Sequence, residues 1–327
     1  MAWRLYCPSC GWTGESEEYH PFCPKCGGPL EARGTLPVPR RPVLGEGDTP
    51  LVEDGRGTLY KLEYLNPTGS FKDRGTAYSI HLAHTLDYKC VVEDSSGNTA
   101  ISTAAYAGWY GMRARVHVPL TVSPGKLALL RFMGAEVSIH STREEASEAA
   151  RRDAEKCFYI AHSTSPVFLE GMKTLGRELA EAARDRLVFA PASSGSLIVG
   201  IYRGMLEAGI EPRIVAVQSP LAASLEGRVK VLERLGSQGS LLDALVLRDP
   251  PRLRDMVEAA TEGVVIVGDE YVRVAWRRLA LKGLIVEPSS ASVYAAADAL
   301  DARNSILILT GSGLKYHDKM AEEVEVR

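Results

Sequence analysis

The chain has 327 residues, a length that fits about two domains, and its 45% hydrophobic and 24% charged residues are ordinary for a soluble globular protein. A net charge of −3 leaves no electrostatic footprint for nucleic acid. No apolar run approaches the roughly 20 residues needed to span a bilayer, and the opening MAWRLYCPSC lacks the apolar centre of a signal peptide, so the expected setting is cytoplasmic, with neither membrane nor nucleic acid as partner.

Four of the six cysteines form CPSC (Cys7, Cys10) and CPKC (Cys23, Cys26). Two such pairs at this separation have the spacing of a zinc ribbon. Gly11 and Gly27 follow the pairs, where each knuckle needs positive φ. A segment of about 30 residues buries too little apolar surface to fold alone, so a metal would supply the missing stability. Two disulfides or a redox CxxC are the alternative, but a cytosolic redox motif needs only one pair. Four thiolates leave no open position, which makes the expected Zn2+ structural. Cys90 and Cys157 stand apart in apolar surroundings and are expected as buried thiols. TLPVPRRP, Thr35 to Pro42, is an extended linker.

From about residue 58 onward, strand-like and helix-like segments alternate. TLYKLE precedes a helix expected from near Ser70, with Phe71, Tyr78, Leu82 and Leu86 on one face. CVVED, ARVHVP, AEVSIH and CFYIAH follow as strands, then RLVFAPAS, RIVAVQ, GVVIVG, GLIVEP and SILILT. The fold class is α/β with parallel sheets. There is no internal repeat, and residues 221–247 favour neither helix nor strand. Small polar turns follow three strands: SSGN, SSGS and TGSG. In open α/β sheets ligands bind beyond the carboxyl ends of strands. No turn is a Walker A loop or a GxGxxG.

NPTGSFKDRG, Asn66 to Gly75, carries a lysine into the start of a helix. With Ser70 as N-cap and Asp73 as its capping-box partner, Lys72 falls at the second helical position. A cation there faces the positive end of the helix dipole, and Arg74 is near. Both disfavour the ammonium, with Asp73 opposing. A neutral lysine amine is the form that attacks a carbonyl. Taken alone, the position also reads as a solvated lysine tolerated at about 0.3–1 kcal/mol.

NPTGSFKDRG, SSGNTA, the Ser/Gly turn after a strand, and TGSGLK, in this order, resemble the fold-type II pyridoxal-phosphate enzymes, the tryptophan synthase β-like group, and within them the threonine synthase family most closely. GEGDTPL (Gly45 to Leu51), EGMKTLGREL (Glu170 to Leu179), VEPSSA (Val286 to Ala291) and the ribbon ending CPKCGGPLE extend the resemblance over essentially the whole chain. It implies that Lys72 holds pyridoxal 5'-phosphate covalently and moves protons, with Phe71 flanking it. Asn98 would bond the cofactor's ring oxygen. Ser95, Ser96, Gly97 and Thr99 would receive the substrate carboxylate. Ser193, Ser194, Gly195, Ser196 and Leu197 would cradle the cofactor phosphate at a helix N-terminus, which suits an anion. Thr310 would contact the pyridine nitrogen. The implied architecture is a two-lobed fold. Residues 1–34 form the ribbon, 35–85 and 166–327 a large cofactor-binding lobe, and 86–165 a small mobile lobe that closes on substrate. A homodimer is the family expectation.

The resemblance implies a carbon–oxygen lyase that converts O-phospho-L-homoserine and water to L-threonine and phosphate. Family members hold the substrate phosphate partly with a stretch like N-S-x-N-P-x-R. Here it reads His162, Ser163, Thr164, Ser165, Pro166, Val167, Phe168. Ser163 matches, but a phenyl ring stands at the arginine position and cannot reproduce a guanidinium fork. Lys173, Arg177 or His162 could replace the charge, or His162 is a polar strand-end residue. Phe168 favours the alternative of β-elimination or β-replacement on serine, threonine, phosphoserine or a related amino acid. A third reading, a binding or regulatory protein on an enzyme scaffold, conflicts with the intact lysine motif.

Overall fold

The computed structural model describes residues 2–95 and 97–325. Three short strands open the chain: β1 (Arg4–Tyr6), β2 (Thr13–Ser16) and β3 (Glu31–Arg33). The pair β4 (Leu51–Glu53) and β5 (Leu59–Lys61) follows. Next come α1 (Lys72–Thr85), β6 (Cys90–Glu93), α2 (Asn98–Trp109), β7 (Arg113–Pro119), α3 (Pro124–Phe132), β8 (Glu136–His140), α4 (Arg143–Asp153) and β9 (Phe158–Tyr159). Helix α5 (Pro166–Leu179) leads to β10 (Leu187–Pro191), α6 (Ser196–Glu207), β11 (Ile214–Gln218) and β12 (Val231–Leu235). The chain ends with α7 (Leu253–Ala259), β13 (Gly263–Val267), α8 (Asp269–Leu281), α9 (Pro288–Ala299), β14 (Ser305–Ile308) and α10 (His317–Glu325). No helix among the described residues is long and apolar enough to cross a membrane.

Met1–Gly47 and Lys72–Met172 form one compact unit. Its N-terminal part is a three-stranded antiparallel sheet, β2-β1-β3. Its main sheet is parallel, in the order β8-β7-β6-β9. The N-terminal segment is anchored on β9 and the residues after it. The Tyr19 ring stacks on Phe158 with centroids 3.9 Å apart, and its hydroxyl donates to the Tyr159 carbonyl at 2.7 Å. Thr164 Oγ1 donates to the Pro21 carbonyl at 2.7 Å. Cys90 and Cys157 are not the separate thiols expected; they form a disulfide. The parallel pairing of β6 with β9 sets Val91 opposite Phe158, so the cysteines preceding them fall side by side.

Helix α1 departs from its expected pattern. It begins at Lys72, and Ser70 does not cap it, because Ser70 bridges instead to Gly311. Asp73 is fully buried and accepts from Ser102 Oγ at 2.6 Å. The helix has no single apolar face. Asp73, Arg74, Gly75, Thr76, Ala77, Ser79, Ile80, Leu82 and Ala83 are all buried, while Tyr78 and Leu86 are only half-buried.

Asp48–Phe71 and Lys173–Arg327 form the second unit. Its seven-stranded sheet runs β12-β13-β11-β10-β14-β5-β4, with only the edge pair β4–β5 antiparallel. β11, β13 and β14 are buried at every position, the near-continuous apolar run of a parallel strand covered on both faces. Residues 221–247 include β12, an edge strand. GLIVEP is not a strand, because Val286 makes only an isolated bridge to Ser312.

Helices α5 and α6 approach through glycines. A Cβ at Gly204 would lie 2.1 Å from the Lys173 carbonyl oxygen, and one at Gly176 would lie 2.3 Å from that of Ile201. Gly204→Ala is therefore expected to force the helices apart and destabilise the protein by about 1–3 kcal/mol, read as a lower melting temperature. An unchanged melt would refute this close approach.

Candidate functional site

In the second unit β5, β14 and β10 are parallel neighbours, so the turns after them open at one edge of the sheet. After β5 the chain folds as Asn66 to Phe71. Asn66 Nδ2 donates to the Glu63 carbonyl at 2.8 Å, and Gly69 takes φ +79°, open to glycine without cost. Phe71 N–H donates to the Thr310 carbonyl at 3.0 Å, and Lys315 Nζ donates to the Gly69 carbonyl at 3.0 Å. The turn after β14 thereby fixes the backbone up to the residue before Lys72.

Thr310 is 2% exposed. Its hydroxyl donates to Glu287 Oε1 at 2.9 Å, and Ser290 Oγ lies 2.9 Å from it. Gly311 N–H donates to Ser290 Oγ at 3.0 Å. The turn after β10 ends at Gly195, with φ +97°, at the N-cap of α6. The first N–H groups of a helix have no intrahelical partner and carry partial positive charge. Ser193 to Leu197 thus present amide donors. A Cβ at Gly195 would sit 2.8 Å from Met256 and 3.0 Å from Arg252, so the turn cannot carry a larger residue.

In the first unit Lys72 Nζ lies 5.7 Å from the Phe168 ring centroid. The ring is fully buried and packs on α1, where a Cβ at Gly75 would meet it at 2.6 Å. Glu93 ends β6 and is 0% exposed. Its Oε1 is hydrogen-bonded to His162 Nδ1 at 2.7 Å. Burial pushes the Glu93 carboxyl up to about 8, against the opposing charge of Lys72 and the Asp94 N–H. Burial, and then the Lys72 charge, hold His162 well below the usual imidazole range.

Gly97 is the N-cap of α2, with Asn98 its first residue and Thr99 buried behind it. Ser95 Oγ accepts from Gly97 N–H at 3.2 Å. Ser96, expected among these residues, lies outside the described ones. Ser163 is half-buried. The charges that could replace the missing arginine are engaged elsewhere. Lys173 pairs with Glu207 at 2.8 Å and Arg177 with the same carboxylate at 2.5 Å.

The four N-terminal cysteines, Cys7, Cys10, Cys23 and Cys26, form a cluster with all sulfurs within 4.8 Å of one another. Cys7 and Cys26 Sγ are 3.6 Å apart, and Cys10 and Cys23 Sγ 3.5 Å apart. A tetrahedral ion with metal–sulfur bonds of about 2.3 Å spaces its sulfurs about 3.8 Å apart. The two knuckles match: Gly11 N–H donates to the Cys7 carbonyl and Gly27 N–H to the Cys23 carbonyl, at 3.0 and 2.8 Å.

The family profile described as "Pyridoxal-phosphate dependent enzyme" matches residues 43–311. The chain belongs to this family. A threonine synthase of Methanocaldococcus jannaschii is 32% identical over 312 residues, covering 84% of this chain and 76% of the relative. One from Halalkalibacterium halodurans is 30% identical, covering 96% and 93%. Among solved structures, an O-ureido-L-serine synthase superposes with TM-score 0.72 at 22% identity, covering 86% of this chain and 94% of that one; this likeness establishes the fold.

The residues present fit the family's cofactor. The α6 turn offers amides and a glycine at a forced conformation to a phosphate. Thr310 is a buried hydroxyl at the neighbouring strand end, and Lys72 follows the fixed Phe71. Sequence reasoning missed Glu287 and Ser290, which hold Thr310, although VEPSSA marked their neighbourhood. It also missed Lys315 as the clamp on Gly69, and Glu93 as the partner of His162. Nothing in PPRLRD signalled that Arg252 would be buried beside Gly195.

Proposed function

We propose that this pyridoxal-phosphate dependent enzyme is a carbon–oxygen lyase that expels a leaving group from the side chain of a small amino acid, of the threonine synthase type. The observation that carries it is Lys72 at the first position of α1, one residue beyond the amide bonded to the Thr310 carbonyl. The cofactor, when bound, supplies an electron sink for a carbanion at the substrate's Cα. Lys72 is the residue that bonds it and that moves protons at Cα. Phe71 flanks it, and Asn98 orients its ring oxygen. Ser193, Ser194, Gly195, Ser196 and Leu197 hold its phosphate. Thr310, oriented by Glu287 and Ser290, faces the pyridine nitrogen. Ser95, Ser96, Gly97 and Thr99 receive the substrate carboxylate at the start of α2, and Ser163 lies on the side-chain end. Cys7, Cys10, Cys23 and Cys26 hold a structural Zn2+. A homodimer in the cytoplasm, with a mobile small lobe spanning 86–165, belongs to the same reading.

The similarity to threonine synthases supports O-phospho-L-homoserine and water as substrates. Phe168 and the engaged Lys173 and Arg177 favour the second reading, β-elimination or β-replacement on serine, threonine, phosphoserine or a related amino acid. Phosphate release from O-phospho-L-homoserine, set against 2-oxo acid release from a panel of amino acids, separates them. We expect the cofactor-loaded protein to act on one of the two classes; inertness toward both would sink the lyase reading.

A further inference from the structure

Beside Lys72 stands a buried proton-holding pair that the reading above does not use. Glu93 lies at the carboxyl end of β6, 0% exposed, and His162 follows β9 with its side chain 21% exposed. The groups facing Glu93 are His162, Lys72, the neighbouring Asp94, Tyr159 on β9, and Tyr19 from the ribbon. Glu93 Oε2 has no hydrogen-bond partner among the described residues. Oε1 is hydrogen-bonded to His162 Nδ1 at 2.7 Å. No other hydrogen bond of His162 occurs among the described residues.

We propose that Glu93 and His162 form a relay that protonates the departing oxygen of a β-hydroxy amino acid, with His162 as the acid and Glu93 as the proton store behind it. The proposal rests on the elimination or replacement reading and narrows its substrate class. Two features of the side chains argue against a phosphate as the group served. Phosphate leaves readily without a proton but needs cations to hold it. Here the imidazole is held neutral, and the family's arginine position is a buried phenyl ring. Hydroxide is a poor leaving group and needs an acid, which this pair supplies.

The proton balance closes. At neutral pH the Glu93 carboxyl carries its proton and donates it to His162 Nδ1, which leaves the ring's other proton on Nε2. As the Cβ–O bond breaks, Nε2–H passes its proton to the leaving oxygen, giving water. Nδ1 takes the proton from Glu93, which becomes a carboxylate, and the imidazole ends neutral in its other tautomer. A proton from solvent resets the pair. Burying a carboxylate is costly, which drives that reset and keeps the store filled.

The test compares L-serine with β-chloro-L-alanine, whose chloride needs no proton, in the cofactor-loaded wild type and in Glu93→Gln. We expect Glu93→Gln to lower kcat on serine by about 100-fold or more and to affect β-chloro-L-alanine far less. Wild-type turnover of serine should decline as pH rises through about 8, the value to which burial pushes Glu93, and β-chloro-L-alanine should lack that limb. His162→Asn should share the leaving-group dependence. Equal losses on both substrates mean a structural role and overturn the relay. Turnover of O-phospho-L-homoserine but not serine overturns the substrate class while leaving the lyase reading intact. Inertness toward all three sinks that reading as well.

A readout independent of turnover uses the protein without cofactor. The folded Glu93 pKa lies above its unfolded value, so its contribution to stability is full below about 4.5 and is lost as pH rises to about 8. Glu93→Gln removes this loss. Its melting temperature should therefore gain on the wild type across that window, and a constant difference contradicts a carboxyl held protonated.

Discussion

Lys72→Ala yields a folded protein that lacks the visible absorption band of lysine-bound cofactor and whose turnover is lower by about 10⁴-fold or more. The loss is confined to chemistry because alanine suits this helix position. Lys72 is the first residue of α1, where alanine is the best helix former. Removing a cation from the positive end of the helix should relieve about 0.3–1 kcal/mol of repulsion at most. The neighbours that shape the site are untouched: Phe71 remains bonded to the Thr310 carbonyl, and Asp73 remains bonded to Ser102. Absorbance spectra of the loaded wild type and variant check the first part, and melts of both without cofactor check the second. A variant that keeps the band would remove Lys72 from the role on which the proposed function stands. One that loses the band only because it unfolds would show as a collapse of the melt.

The parts of the fold that were legible in the sequence are those set by short-range pattern. CVVED, RIVAVQ, GVVIVG and SILILT are runs whose burial is continuous, and each became a strand of a parallel sheet. The misses share a cause, since tertiary partners outvoted local preference. Ser70 followed by Asp73 is a good capping pattern, but Ser70 is drawn into a bridge with Gly311, more than two hundred residues away. GLIVEP has strand composition, yet its backbone bonds go to the turn after β14: Gly313 N–H donates to the Ile285 carbonyl and Glu287 N–H to that of Gly311. The pattern of α1 suggested one apolar face, whereas its polar Asp73 and Arg74 are buried too. The candidate site divided the same way. The lysine, the α6 turn and Thr310 were visible because glycines and small polar residues punctuate them. Glu287 and Glu93 were not, because a carboxylate at a helix N-cap or a strand end gives no sign of being buried until its partners are placed. Phe168 stands out in the sequence as a departure, but only the fold shows that its ring is spent on packing against Gly75.

With Cys7, Cys10, Cys23 and Cys26 holding a Zn2+ as proposed, treatment with a strong chelator, or replacement of Cys7 and Cys23 with serine, is expected to unfold the first 34 residues and to lower the stability of the unit they belong to. The sheet β2-β1-β3 has strands of three or four residues, too little to persist without a cross-link. Metal binding in such ribbons is worth about 10–16 kcal/mol in isolated peptides at neutral pH, so its removal exceeds anything the small core of Trp3, Leu5 and Leu30 can offset. The consequence should not stop at the ribbon. Tyr19 stacks on Phe158 and donates to the Tyr159 carbonyl, and Leu30 N–H donates to the Thr164 carbonyl. The Tyr19 hydroxyl also lies 3.3 Å from Ser165 Oγ, the oxygen that accepts the Phe168 N–H. Losing the ribbon therefore frees both sides of the stretch that carries His162 and Phe168. We expect about one equivalent of Zn2+ released per chain, a depressed melting temperature and new proteolytic cleavage before residue 34. Turnover should fall further than cofactor content, because the Ser193–Leu197 turn and Thr310 belong to the other unit. Full activity and an unaltered melt after metal loss would mean that the four thiols are held together by the fold rather than the reverse.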